Sequence, residues 1–278
     1  ALRNPTLADQ YLFLDVGPAT LVGNLNGVQD LVTIQSFIDY RAQTIPQGSI
    51  SMDPAYLEYF DIAPIRPEQV RTFEAGYRTT IGEKLYIDAG CYFSTYTDFI
   101  GYNIGLDIAF APQSTAVQGI DVYRYAANSI NEVKTQGASV GLQYYLDEKF
   151  SLTGNYSWNK LVKTNEDDPI IPAFNTPEHK FNLGITARGL DAGGKNSWGF
   201  GVNYRWVQQF VFEGSPQFTG AIPQYDLVDA QINLYIDQIN TTFKIGGSNL
   251  LSNQHIETYG GPQVGRLAYV SILYDFAK

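Results

Sequence analysis

Beyond Val70 the chain alternates apolar and polar residues with period two, in segments too long for the strands of an ordinary sandwich. The alternation predicts strands over Val70 to Ile81, Leu85 to Phe99, Val133 to Leu146, Phe150 to Val162, Phe181 to Arg188, Trp198 to Phe212, Tyr225 to Ile236, Thr242 to Leu250 and Arg266 to Phe276. Tight links such as Gly82-Glu83-Lys84, Asp147-Glu148-Lys149 and Asp237-Gln238-Ile239-Asn240 alternate with long polar connections. Within a strand the two faces separate cleanly. Phe150, Leu152, Gly154, Tyr156 and Trp158 oppose Ser151, Thr153, Asn155, Ser157 and Asn159, and Val228, Ala230, Ile232, Leu234 and Ile236 oppose Asp229, Gln231, Asn233 and Tyr235.

A soluble sandwich also alternates in this way, so the period alone does not decide the surroundings of the apolar face. Strand length does more: a tilted strand needs roughly 9 to 11 residues to cross a bilayer, and most of these segments supply them. Aromatic residues recur near strand ends, at Trp158, Trp198, Trp206, Tyr274 and Phe276, where a membrane girdle is expected. Composition points the same way, with 17% charged residues, 20 Tyr, 16 Phe and 26 Gly in 278 residues. No run of about eighteen apolar residues occurs, and Ala1 to Pro5 lacks the apolar stretch of a signal peptide, so the expected fold is an all-β, transmembrane antiparallel β-barrel. With short turns on the periplasmic side, the last strand runs toward the periplasm and so does the one starting at Val70. Residues 1–69 are then expected as the end of a mid-barrel strand plus a long extracellular loop with short helices, and 70–278 as C-terminal barrel strands. About nine strands is an odd number where bacterial barrels close with even counts, which predicts the C-terminal part of a larger protein.

The charge of -10 opposes binding to a nucleic-acid backbone. The lone Cys91 supplies no internal disulfide, and His179 and His255 stand at no metal-ligand spacing, so neither a catalytic group, a metal nor a cofactor is expected. Glu166-Asp167-Asp168 has the carboxylates of a calcium site without the glycine or the alternating spacing, and reads as a solvated acidic loop. In the connection from Gly23 to Pro64, Leu31, Ile34, Phe37 and Ile38 recur at helical spacing, and Asp53-Pro54 has the form of a helix start. Tyr56, Tyr59 and Phe60 in this connection, with Tyr102, Phe110, Phe174, Phe218 and Tyr259 in the other outer loops, are the candidate ligand contacts. Aromatics with polar tips suit sugars, peptides or chelates, but they also suit packing of the loops onto their neighbours, the reading favoured for Tyr56, Tyr59 and Phe60. Tyr145, Tyr235 and Tyr269 are expected to face the lumen.

Four segments carry a family likeness. Arg3-Asn4-Pro5-Thr6-Leu7-Ala8-Asp9-Gln10-Tyr11, Ile65-Arg66-Pro67-Glu68-Gln69-Val70-Arg71-Thr72-Phe73-Glu74-Ala75-Gly76-Tyr77-Arg78, Thr176-Pro177-Glu178-His179-Lys180-Phe181-Asn182-Leu183 and Ile245-Gly246-Gly247-Ser248-Asn249-Leu250-Leu251 stand in order. In these segments the sequence resembles the C-terminal half of a TonB-dependent outer-membrane transporter, with a flavour of Bacteroidota. Ile65 and Arg66 replace the usual Leu and Lys, and Ala277 and Lys278 follow Phe276 where such barrels usually end on an aromatic residue. The resemblance implies a barrel of 22 strands around an N-terminal plug, outer-membrane lipid as surroundings, and partnership with the TonB-ExbB-ExbD complex and with plug and barrel strands missing from this chain. A surface lipoprotein is a further partner in some assemblies. The implied function is non-enzymatic import of a scarce solute: siderophore, cobalamin, glycan or peptide. A non-transporting barrel subunit of a surface or secretion complex, and a passive porin, are the alternatives.

Overall fold

The alternating segments form strands because β-branched and aromatic residues at every second position can be shielded only on one side of a pleated sheet. The computed structural model describes residues 1–44, 54–113, 115–163, 174–214 and 219–276. The chain opens with β1 (Leu2–Arg3), helix α1 (Leu7–Tyr11), the short strands β2 (Phe13–Asp15), β3 (Thr20–Val22) and β4 (Val32–Thr33), and helix α2 (Ile34–Thr44). There follow β5 (Glu68–Ile81), β6 (Leu85–Thr97), β7 (Ile100–Phe110), β8 (Val117–Asn128), β9 (Val133–Tyr145), β10 (Phe150–Lys163), β11 (His179–Asp191) and β12 (Ser197–Val207). The short hairpin β13 (Phe210–Glu213) and β14 (Thr219–Ile222) precedes β15 (Tyr225–Ile236), β16 (Thr241–Ser248) and β17 (Leu267–Tyr274).

Ten strands make one antiparallel wall in the order β1-β5-β6-β9-β10-β11-β12-β15-β16-β17. It is open, and among the described residues its order ends at β1 on one side and β17 on the other. The nine expected strands are all in this wall, and the two-residue β1 is added beside β5. The segment expected as one strand from Trp198 to Phe212 divides into β12 and β13. Neighbouring β11 and β15 pair with β12 only as far as Val207, so beyond it the backbone pairs instead with β14. The segment expected from Phe181 to Arg188 is longer, and a bulge between Ala187 and Leu190 carries it on, with Gly189 at φ 60°.

The register sorts every side chain. One face of the wall carries Phe73, Tyr77, Leu142, Leu152, Leu183, Val202, Ile232, Ile245, Val270 and Ile272, many of them strongly exposed. The other carries Thr72, Arg78, Asp88, Ser139, Gln143, Thr153, Asn155, Asn182, Asn203, Arg205, Asp229, Gln231, Lys244 and Ser271. Tyr145, Tyr235 and Tyr269 share this polar face. Two tyrosines cross a whole strand on it. Tyr92 of β6 lies over Gly137 of β9 and donates to Asn159 Oδ1 of β10 at 3.1 Å, while Tyr269 of β17 lies over Gly246 of β16 and donates to Gln231 Oε1 of β15 at 3.1 Å. Glycine is required beneath each ring, because a Cβ there would overlap it.

The connection from residue 98 to residue 132 is not merely a loop. β7 and β8 pair along their length and anchor a second sheet in the order β2-β3-β8-β7-β4, with β3 parallel to β8. Both faces of this sheet are covered. On one, Val32, Phe37, Tyr40, Leu57 and Leu106 are buried together, and on the other Tyr125 and Ala127 are buried under Val22, Val28, Leu31, Phe60 and Ile62. The predicted helix is α2, which starts at Ile34, so Leu31 packs ahead of it on the opposite face. Pro54 begins a short 3-10 turn, and the Asp53 cap lies outside the described residues.

The segments singled out in the sequence make the locks of this architecture. Thr6 and Asp9 form a reciprocal cap on α1. Glu68, 4% exposed, accepts from the Ile100 backbone N–H at 2.9 Å and from Arg3 at 3.4 Å, tying β1, β5 and β7 together. Asp229 Oδ1 accepts from Ser248 Oγ at 2.6 Å and from Asn249 N at 2.9 Å, fixing the turn after β16, where Asn249 sits at φ 53°.

Candidate functional site

The tight turns β5–β6, β9–β10, β11–β12 and β15–β16 gather at one end of the wall, and all the longer connections gather at the other. The second sheet belongs to that other end, so any binding surface made by loops must be built there.

Of the candidate contacts, Tyr56 and Tyr59 are exposed, at 53% and 57%. Phe60 instead turns inward and meets Tyr125 edge-on at 5.6 Å. Tyr59 and Phe60 line one cleft of about 440 Å³ with Asp61, Arg66, Asp98 and Asn128. Its cation is already matched, since Arg66 Nη2 stands 2.6 Å from Asp98 Oδ1. Phe110 packs edge-on against Tyr40 at 6.5 Å. Tyr102 is buried beneath Arg124, whose guanidinium carbon lies 3.4 Å from the ring centroid. Phe174 is half-buried, next to Asn175, which exchanges two hydrogen bonds with the Glu213 backbone. Tyr259 covers Gly220 of β14. Phe218 and the acidic run Glu166-Asp167-Asp168 lie outside the described residues. The structure thus brings together Tyr59 with Phe60, sets Tyr102 and Phe110 on one face of β7 but at its opposite ends, and keeps Phe174 and Tyr259 on other connections.

Arg124, Arg66 and Asp98 were not legible as site residues. The only local signal for Arg124 is a cation inside the apolar alternation Val122-Tyr123-Arg124-Tyr125. Burial lowers the proton affinity of its guanidinium, with Tyr102 and then Asp9 opposing that shift. Burial likewise raises the hydroxyls of Tyr102 and Tyr125.

The polar face of the wall holds two further clefts. One, of about 340 Å³, is lined by Thr153, Thr186, Asn203, Asp229, Gln231 and Tyr269. The other, of about 620 Å³ and nearer the tight turns, is lined by Arg188, Asn233, Thr242, Lys244 and Ser271. Between wall strands a polar ladder runs from Arg205 Nε to Asn182 Oδ1 at 3.1 Å and from Asn182 Nδ2 to Asn155 Oδ1 at 2.8 Å. His255 is buried, stacks on Tyr225 at 4.3 Å and donates from Nδ1 to the Asn253 carbonyl at 3.1 Å. His179 bonds Tyr156 on the apolar face, its Nδ1 standing 2.6 Å from the hydroxyl. Among the described residues no cluster of three or more His, Cys, Asp or Glu is placed to hold a metal ion, and no helix is long and apolar enough to cross a membrane.

These features agree with known proteins. The family described as TonB dependent receptor-like, beta-barrel matches residues 3–250. No curated protein sequence matches the chain. Among solved structures, the FrpB iron transporter of Neisseria meningitidis superposes with a TM-score of 0.54 at 16% identity, over 77% of this chain and 32% of that one. The copper transporter OprC gives a TM-score of 0.54 at 16% identity over 75% and 31%. FpvA of P. aeruginosa, bound to a pyoverdine and iron, gives 0.51 at 13% identity over 76% and 28%. At these identities the likeness establishes the fold, and the chain spans about a third or less of each relative's length. The match over most of its residues settles the rest: the chain belongs to the TonB-dependent receptor-like β-barrel family, and its place is the bacterial outer membrane.

Proposed function

We propose that the chain supplies part of the wall and outer surface of a receptor that imports a scarce solute, energised through TonB-ExbB-ExbD. The observation that carries this reading is the division of the wall into one apolar and one polar face, crowned at a single end by a second, structured sheet. An apolar face this exposed suits lipid, and a polar one suits a water-filled or plugged lumen. The proposed girdle follows from the register. Trp198 and Trp206 share the apolar face of β12, eight residues and about 26 Å apart along the strand. Trp158 stands at the same end as Trp206, and Tyr274 closes β17 at the end nearer the tight turns, with Phe276 just beyond it. Their exposure supports Tyr56 and Tyr59 as ligand contacts, and the packing of Phe60 on Tyr125 and of Phe110 on Tyr40 supports a scaffold role for those two rings. The solute is a siderophore, cobalamin, glycan or peptide, and no step on it is catalysed.

The test is uptake of labelled ferric siderophores, cobalamin, oligosaccharides and peptides by the native bacterium, with and without the receptor and with and without TonB. Loss of one uptake activity in both deletions is expected. Uptake of every probe that is indifferent to the receptor, together with ion conductance through the purified barrel, would overturn import in favour of a passive pore.

A further inference from the structure

We propose that Arg124 and Tyr102 form an anchor for an anionic oxygen, a carboxylate or a phosphate carried by the imported solute. This deepens the import reading and rests on it. Tyr102 pairs with Ala126 and Ile104 with Arg124, so the two side chains are diagonal neighbours on one face of the β7–β8 hairpin. The ring covers one side of the guanidinium at 3.4 Å, which fixes its plane and leaves its N–H groups unmatched by the ring. Arg124 Nε is buried with no hydrogen-bond partner. Arg3, Arg66 and Arg78 each have a carboxylate within 4.0 Å, and among the described residues Arg124 has none.

A partly buried cation lacking a counterion is an expensive arrangement that an incoming anion relieves, and a guanidinium edge takes a carboxylate or phosphate through paired N–H donors. Asp9 and Glu213 act on the pair only at longer range, Asp9 on Arg124 and Glu213 on Tyr102. The Tyr102 hydroxyl is likewise buried with no hydrogen-bond partner, a second donor beside the guanidinium. The cleft at Tyr59 offers no equivalent, because Asp98 already neutralises Arg66.

The experiment uses the intact receptor purified from outer membranes, with sodium citrate and sodium phosphate as probes against sodium chloride at constant ionic strength. Hydrogen exchange is followed over residues 100–128. In the unaltered protein citrate, phosphate or both slow exchange there; citrate alone assigns a carboxylate and phosphate alone a phosphate. Arg124→Gln shifts the midpoint at least about tenfold, and Arg124→Lys, which keeps the charge without the fork, shifts it less. Unchanged exchange in the wall strands shows that both variants are folded. A hairpin indifferent to both anions, or a midpoint unmoved by Arg124→Gln, overturns the anchor. Uptake in the same variants separates the two readings. TonB-dependent uptake that survives Arg124→Gln sinks the anchor alone, whereas Arg124-dependent anion binding in a receptor whose deletion spares every uptake sinks import alone.

Discussion

The wall and the outer sheet are built from the same alternation, yet they handle their apolar residues in opposite ways. In the wall, Val270 and Ile272 are 72% and 66% exposed, and none of the described residues covers their face. In the outer sheet, Val32, Tyr40 and Tyr125 are each 1% exposed, covered from both sides by α2 and by residues from 22 to 62. Period two therefore specifies a strand with two unlike faces and leaves open what each face meets. The difference lies in the solvent, lipid for one sheet and water for the other, and variants can probe the two separately.

The deepest cut at the outer sheet is Tyr125→Ala, which removes the aromatic centre of one of its clusters. A loss of about 3 to 5 kcal/mol confined to that sheet is expected. Limited proteolysis of intact cells should cleave the outer sheet while the barrel keeps its heat-modifiable mobility in electrophoresis; loss of the barrel as well would show that the two regions fold as one unit. On the wall, Val270→Arg should cost about 2 to 4 kcal/mol near the bilayer midplane, whereas the adjacent Ser271→Arg on the polar face should cost much less. Reversible unfolding in lipid bilayers measures both, and equal losses would remove the lipid-facing assignment.

Gly137→Ala sharpens the comparison within the wall. The new methyl would stand 2.7 Å from the Trp158 carbonyl oxygen, so a loss of about 1 to 3 kcal/mol is expected from overpacking alone. Tyr92→Phe, which keeps the ring and loses the hydrogen bond, should cost less. The mildest effect belongs to the β9–β10 turn. The Asp147 carboxylate accepts from the backbone N–H groups of Phe150 and Lys149, both at 2.7 Å, which holds its pKa below the usual carboxylate range. The turn is supported above that range and loses support as pH falls through the lowered value. Asp147→Asn should abolish this pH dependence in the hydrogen exchange of residues 146–150, and an unchanged profile would assign it to another group.

The wall strands were legible because each announces itself locally, through alternation between turn residues. The outer sheet was not, although Ile100, Tyr102, Ile104, Leu106, Ile108 and Phe110 alternate as regularly as any wall strand. Its other members are two or three residues long, and they join through pairs such as Val32 with Leu106 and Thr20 with Tyr123, distant in sequence and in one case parallel. No local pattern encodes such contacts. The same gap limits the site. Phe60 and Tyr59 are neighbours of like chemistry, and only the packing partner Tyr125 separates the inward ring from the exposed one.

The two tyrosines that cross a strand bear on how the barrel is made. Each bridge spans three strands, so it can close only after both intervening ladders have formed. A slip of one residue in the middle strand would replace glycine with Gln136 or Ala138 under Tyr92, or with Ile245 or Gly247 under Tyr269, and turn the wrong face toward the bridge. In three of these four cases a side chain blocks closure. The bridges thus favour the aligned register of three consecutive strands over most one-residue slips.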